Sequence, residues 1–101
     1  MHSSSDEIIF GSALRAAREG RYRDAYALWL SLAQEGHQQA QRNIAYLYHL
    51  GLGIERDPAQ AAAWLDRATR QPREDPMAVF RMIDQLAAGG ARPSAVFAPA
   101  A

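Results

Sequence analysis

The chain has 101 residues, no cysteine and a formal net charge of zero, with Lys plus Arg and Asp plus Glu at 11 each. That length makes one domain, which buries about 60–65% of its unfolded surface. The missing cysteine excludes disulfides, thiolate zinc sites and thiol catalysis, the balanced charge argues against nucleic-acid binding, and 49% hydrophobic residues exclude wholesale disorder.

Residues 1–5 read as a flexible start, and Ser4 and Glu7 have the spacing of a capping box. The first helix is predicted to run to about Glu19, with Ile9, Ala13 and Ala16-Ala17 on one face, and Gly20 ends it in a left-handed conformation. The second is predicted from about Tyr22 to Glu35, with a stripe of Tyr22, Ala25, Leu28-Trp29 and Leu32-Ala33, and Gly36 stops it. The third spans about Gln38 to Leu50 and places Ala40, Ile44 and Leu47-Tyr48 on one face. Gly51 and Gly53 then supply backbone freedom, with Ile54 packed under the loop. Asp57-Pro58 opens the fourth helix as N-cap and first helical residue. Its stripe is Ala61, Trp64-Leu65 and Ala68, and it ends near Arg70. Asp75-Pro76 opens the fifth, whose core face is Val79-Phe80, Ile83 and Leu86-Ala87. Met77 and Met82 widen that face, and Gly89-Gly90 closes the helix. The domain therefore covers residues 6–90. Residues 91–101 read as a flexible Ala/Pro tail, with Val96-Phe97 its one sticky element. No stretch approaches the roughly 20 apolar residues of a membrane span. The start is not basic and its apolar run is only Ile8-Ile9-Phe10, so it is not a secretory signal. The expectation is a cytoplasmic protein without a membrane partner.

The second and fourth helices repeat one another. Ala25 and Ala61, Leu28 and Trp64, and Trp29 and Leu65 each stand 36 apart, as do Leu47 and Ile83, Leu50 and Leu86, and Gly53 and Gly89. A fixed period of this length marks a stacked-repeat fold. Ala40-Gln41-Arg42-Asn43-Ile44-Ala45, Tyr48, Gly51-Leu52-Gly53-Ile54, Asp57, Ala61, Trp64, Leu65 and Ala68 resemble the Sel-one-like repeat, a branch of the tetratricopeptide-repeat superfamily. The match covers roughly residues 20 to 71. Ala45 stands where the family usually has Gly, which widens the expected helix spacing slightly. The resemblance implies an all-α fold, a short right-handed α-solenoid of about two helix pairs and five helices in total. It also implies a protein-interaction scaffold without a catalytic site.

In related repeats the first helix of each pair lines the concave face. Here these are the second and fourth helices, and residues off their core stripes become the expected partner contacts: Tyr26, Leu30 and Gln34 on one, Asp66, Arg67 and Arg70 on the other. Met77 and Met82 on the fifth helix complete the set, as apolar surface for something that covers this end. The candidates are a second copy, a partner protein or the Val96-Phe97 segment. The expected partner is a protein or peptide. The alternatives are a homodimeric structural protein and a regulatory, inhibitory or accessory subunit of one target.

Other groupings point to no chemistry. Trp29, Trp64, Tyr48 and Phe80 fall in core stripes, which favours packing over a ligand box. His37 and His49 lie 12 apart on one helix, about 18 Å by helical rise, too far to chelate one ion, and both are expected at the surface. Arg15, Arg18, Arg21 and Arg23 are interspersed with Glu19 and Asp24, as on a solvated face. No nucleophile–base pair or phosphate loop is present. Neither a metal nor another cofactor is expected.

Overall fold

The computed structural model describes residues 4–69, 78–90 and 97. Among the described residues there are five helices and no strand: α1 Ser4–Arg18, α2 Tyr22–Gln34, α3 Gln38–Leu50, α4 Pro58–Thr69 and α5 Ala78–Ala88. Consecutive helices α1 through α4 pack pairwise, as short connections between helices dictate.

The turns follow from the glycines. After α1 the Arg21 N–H donates to the Ala16 carbonyl at 2.8 Å and the Gly20 N–H to Ala17 at 3.1 Å. After α2 the His37 N–H donates to Leu32 and the Gly36 N–H to Ala33, both at 3.0 Å. Both are Schellman turns, with Gly20 and Gly36 at positive φ, which satisfy carbonyls the helix leaves orphaned. The Asp6 and Glu7 carboxylates in the first turn of α1, with Arg15 and Arg18 in its last, complement its dipole.

Gly53 does more than turn the chain. A Cβ there would lie 2.5 Å from the Arg23 nitrogen and 2.6 Å from the Tyr22 carbonyl carbon. The loop after α3 thus presses against the first turn of α2, which only glycine permits. The Asp57 N–H donates back to the Tyr48 carbonyl at 3.0 Å, and the Asp57 carboxylate caps α4 by accepting from the Gln60 N–H at 3.1 Å. Ile54 packs against the core beneath this loop.

α3 is the middle of the molecule. It packs on both α2 and α4, and α5 reaches it through the Phe80 ring stacked on His49 at 4.4 Å. A helix enclosed this way buries polar residues too. The Gln41 side-chain amide donates to the Ala33 carbonyl at 3.0 Å. His49, expected at the surface, is only 3% exposed, and its Nε2 bonds the Asp84 carboxylate at 2.9 Å. The expectation failed because apolar periodicity marks one face of α3, whereas its neighbours cover several. His37 is half-buried; its Nδ1 accepts from the Ala40 N–H at 3.2 Å and so caps α3.

Two further details differ from expectation. α1 already includes Ser4 and Ser5, inside the stretch read as a flexible start, so Ser4 is a helical residue rather than the N-cap. Phe97, inside the stretch read as a tail, is buried to 2% exposure. Asp75-Pro76 lies outside the described residues.

Candidate functional site

α2 carries an aromatic row. Tyr22, Tyr26 and Trp29 follow one another at four and three residues, so they share a side of the helix. Trp29 is fully buried, with the Phe10 ring of α1 at 6.0 Å. Tyr26 is half-buried, and its ring meets Tyr48 of α3 edge-on at 5.8 Å. The two hydroxyls are 2.9 Å apart. Burial, then the Tyr26 hydroxyl and the nearby Asp57 charge, push Tyr48 up to about 12, so it stays neutral and remains a hydrogen-bonding group throughout the physiological range.

The Phe97 ring completes the row. Its centroid lies 5.3 Å from Trp29, 6.4 Å from Tyr22 and 6.3 Å from Tyr46 of α3. These tilted arrangements at 5–7 Å are those that aromatic quadrupoles favour. Tyr22, Trp29 and Tyr46 thus form a socket between α2 and α3, held at one edge by the loop at Gly53 against Tyr22. The Trp29 indole N–H is buried and has no hydrogen-bond partner among the described residues. An unpaired buried donor of this kind costs about 1–3 kcal/mol.

The expected contact residues divide into two groups. Tyr26 and Leu30 are half-buried against the core and Gln34 is exposed, so α2 presents them as a strip running on from the socket. On α4, Arg67 is exposed and lies over the Trp64 ring at 4.1 Å, and one Asp66 carboxylate oxygen is buried without a partner among the described residues. Among the described residues no hydrogen bond or ion pair joins the α2 group to the α4 group. Arg70 and Met77 lie outside the described residues, as does the Met82 side chain. The socket itself was missed. Its α2 members stand in the core stripe, and nothing in the periodicity of α2 and α3 announces a phenylalanine arriving from residue 97.

Elsewhere the surface is less specific. An open cleft of about 500 Å³ between α1 and α2 is lined by Ser12, Arg15, Arg21, Asp24 and Leu28. Arg21 is already engaged, with Glu19 at 2.6 Å and Asp24 at 3.1 Å, and Arg15, Arg18 and Arg23 are exposed. Among the described residues no three His, Cys, Asp or Glu side chains converge as metal ligands, and no helix is long and apolar enough to cross a membrane.

Residues 38–72, from the start of α3 through α4, match the family model of the Sel1 repeat. No curated protein and no solved structure matches the chain.

Proposed function

We propose that this chain, whose residues 38–72 match the Sel1 repeat, acts as a protein-recognition module whose docking surface is the face where α2 meets α3. Sel1 repeats in general mediate protein–protein interaction and are not enzymes. The observation that carries the assignment to this face is the socket of Tyr22, Trp29 and Tyr46 around a side chain from a distant segment. A surface that withdraws one aromatic ring from water in this way has the build of an interface anchor point, where a buried aromatic supplies most of the energy. The half-buried Tyr26 and Leu30 and the exposed Gln34 extend it along α2, with the mixture of aromatic, apolar and polar groups typical of an interface.

A photo-crosslinking residue placed singly at Tyr26, Gln34 or Ser12 tests this in lysate of the source organism. Crosslinks to one protein from Tyr26 and Gln34 but not from Ser12 are expected. Crosslinks confined to Ser12, on the α1 side, would overturn the choice of face.

A further inference from the structure

We propose that the socket recognises an extended, uncharged segment anchored by one phenylalanine among small residues and proline, and that Phe97 occupies it as an intramolecular competitor of the partner. The proposal rests on the α2–α3 face being the docking surface, and it names both the partner chemistry and its control.

Three observations carry it. First, Phe97 behaves as a guest. It stands seven residues beyond Gly90, outside the 36-residue period, yet its ring lies against α2 and α3 and is 2% exposed. The helical array supplies the three host rings, and a segment past the last helix supplies the fourth.

Second, the guest has the composition of a recognition segment. No charged residue follows Arg92, and Phe97 is flanked by Ala95, Val96, Ala98 and Pro99. Small neighbours let backbone approach the host helices, and proline reduces the conformational entropy lost on binding. The three host rings receive an aromatic side chain in the tilted geometry that ring quadrupoles favour, and the sequence around Phe97 brings no charge to be desolvated beside them.

Third, the Trp29 N–H is buried, and among the described residues, with Phe97 in place, nothing pairs it. An extended segment brings a backbone carbonyl at every residue, so a partner segment that pairs this donor gains over the resident one. Six residues separate Gly90 from Phe97, and so short a tether holds the ring at an effective concentration on the order of millimolar. A partner segment must outcompete that, which makes Phe97 a threshold against weak ligands.

The test uses the full chain and a fluorescein-labelled peptide of residues 91–101, read by fluorescence anisotropy. F97A is expected to bind the peptide at least about tenfold more tightly than the unaltered chain, because the tethered competitor is gone. A peptide with alanine in place of the phenylalanine should not bind F97A, and adding Tyr22→Ala to F97A should weaken binding about tenfold or more. Equal binding by F97A and the unaltered chain, insensitivity to Tyr22→Ala, or no binding to a folded F97A would each overturn the proposal. Should F97A lose its helical circular dichroism, Phe97→Leu takes its place. Loss of the fold in both would make Phe97 an integral core residue and overturn the proposal as well. Peptide failure alongside partner crosslinks from α2 removes the competitor and leaves the docking face standing. Peptide binding without such crosslinks would show that the socket holds Phe97 but that partners dock elsewhere, which overturns the competitor role along with the docking face.

Discussion

Trp29 and Trp64 stand on corresponding helices of the two repeat units, yet they are covered by different means. The 36-residue period aligns Trp29 with Leu65 and Trp64 with Leu28, so the two units exchange the places of their bulky residues. The Trp29/Leu65 position is the inner one, at 0% and 1% exposure. The Leu28/Trp64 position is the shoulder, where Leu28 is half-buried and Trp64 is 8% exposed. Trp64 is covered from its own helix by Arg67, three residues on. Trp29 is covered by rings from elsewhere in the chain, Phe10 and Phe97. A repeat unit can shield its own shoulder locally, but a large ring at the inner position of α2 draws on distant segments, and this turns packing into a socket.

The largest expected effect separates the two sites directly. Trp29→Ala should cost about 5 kcal/mol and Trp64→Ala nearer 3 kcal/mol, since the cost grows with the cavity left behind. Against a total of roughly 5–10 kcal/mol for a domain of this size, the first variant should be largely unfolded at 25 °C and the second folded with a lowered urea midpoint. Equal losses in urea titrations followed by circular dichroism would dissolve the distinction between inner and shoulder positions.

The socket's edge gives the next effect. Gly53→Ala combines a left-handed φ with a Cβ pressed into the backbone at Tyr22 and Arg23, and should cost roughly 2–4 kcal/mol. Gly20→Ala has the same φ problem but open space around it, so about 1 kcal/mol is expected. If thermal melts show the two to be alike, the loop does not brace α2.

Covering Trp29 is itself worth something. Phe97→Ala should remove about 2–3 kcal/mol, the value of one buried aromatic at a site that water can refill. It should also shift indole emission to the red as Trp29 is uncovered, while Arg67→Ala leaves Trp29 unchanged. Emission from F97A at the unaltered wavelength would mean that Phe97 does not cover Trp29.

Most of this architecture was legible beforehand, and what escaped shares a cause. Gly20, Gly36, Gly51 and Asp57 mark helix ends in the sequence because each acts within a few residues of itself. Ala25, Trp29, Ala61 and Leu65 reveal the core because helical periodicity is local too. His49 and Phe97 escaped because their partners are far away. The His49–Asp84 bond spans 35 residues, and the Phe97 socket joins residue 97 to residues 22, 29 and 46. Of the contact residues, Tyr26 and Leu30 were placed off the core stripe of α2, yet both are half-buried. The spacing gave their side of the helix but not how closely α3 approaches it.

The Tyr26–Tyr48 pair beside the socket adds a pH signature. Tyr48 titrates at about 12 in the folded chain against an ordinary value near 10. Folding therefore favours the neutral phenol. This contribution is intact below about pH 10 and is lost as pH rises through 12. Solvent reaches the half-buried pair, which reduces the loss to about 1 kcal/mol. Tyr48→Phe should remove this part of the alkaline decline in urea stability. A Tyr48→Phe profile that parallels the unaltered one from pH 10 to 12 would place the titration elsewhere.

The smallest effect closes the comparison at Trp64. Arg67 lies 4.1 Å from the ring centroid but is solvent-exposed, so its cation–π contact is worth about 0.5–1 kcal/mol. Arg67→Ala should lower stability by that amount, and Arg67→Lys by less, because the planar guanidinium also stacks on the indole face. Since Arg67 belongs to the same helix as Trp64, the coupling should persist when Phe97 is also replaced. A double-mutant cycle on Arg67 and Phe97 should therefore be additive within about 0.5 kcal/mol. Non-additivity would mean that the two covers communicate through α3, and that the inner and shoulder tryptophans belong to one cooperative surface rather than two.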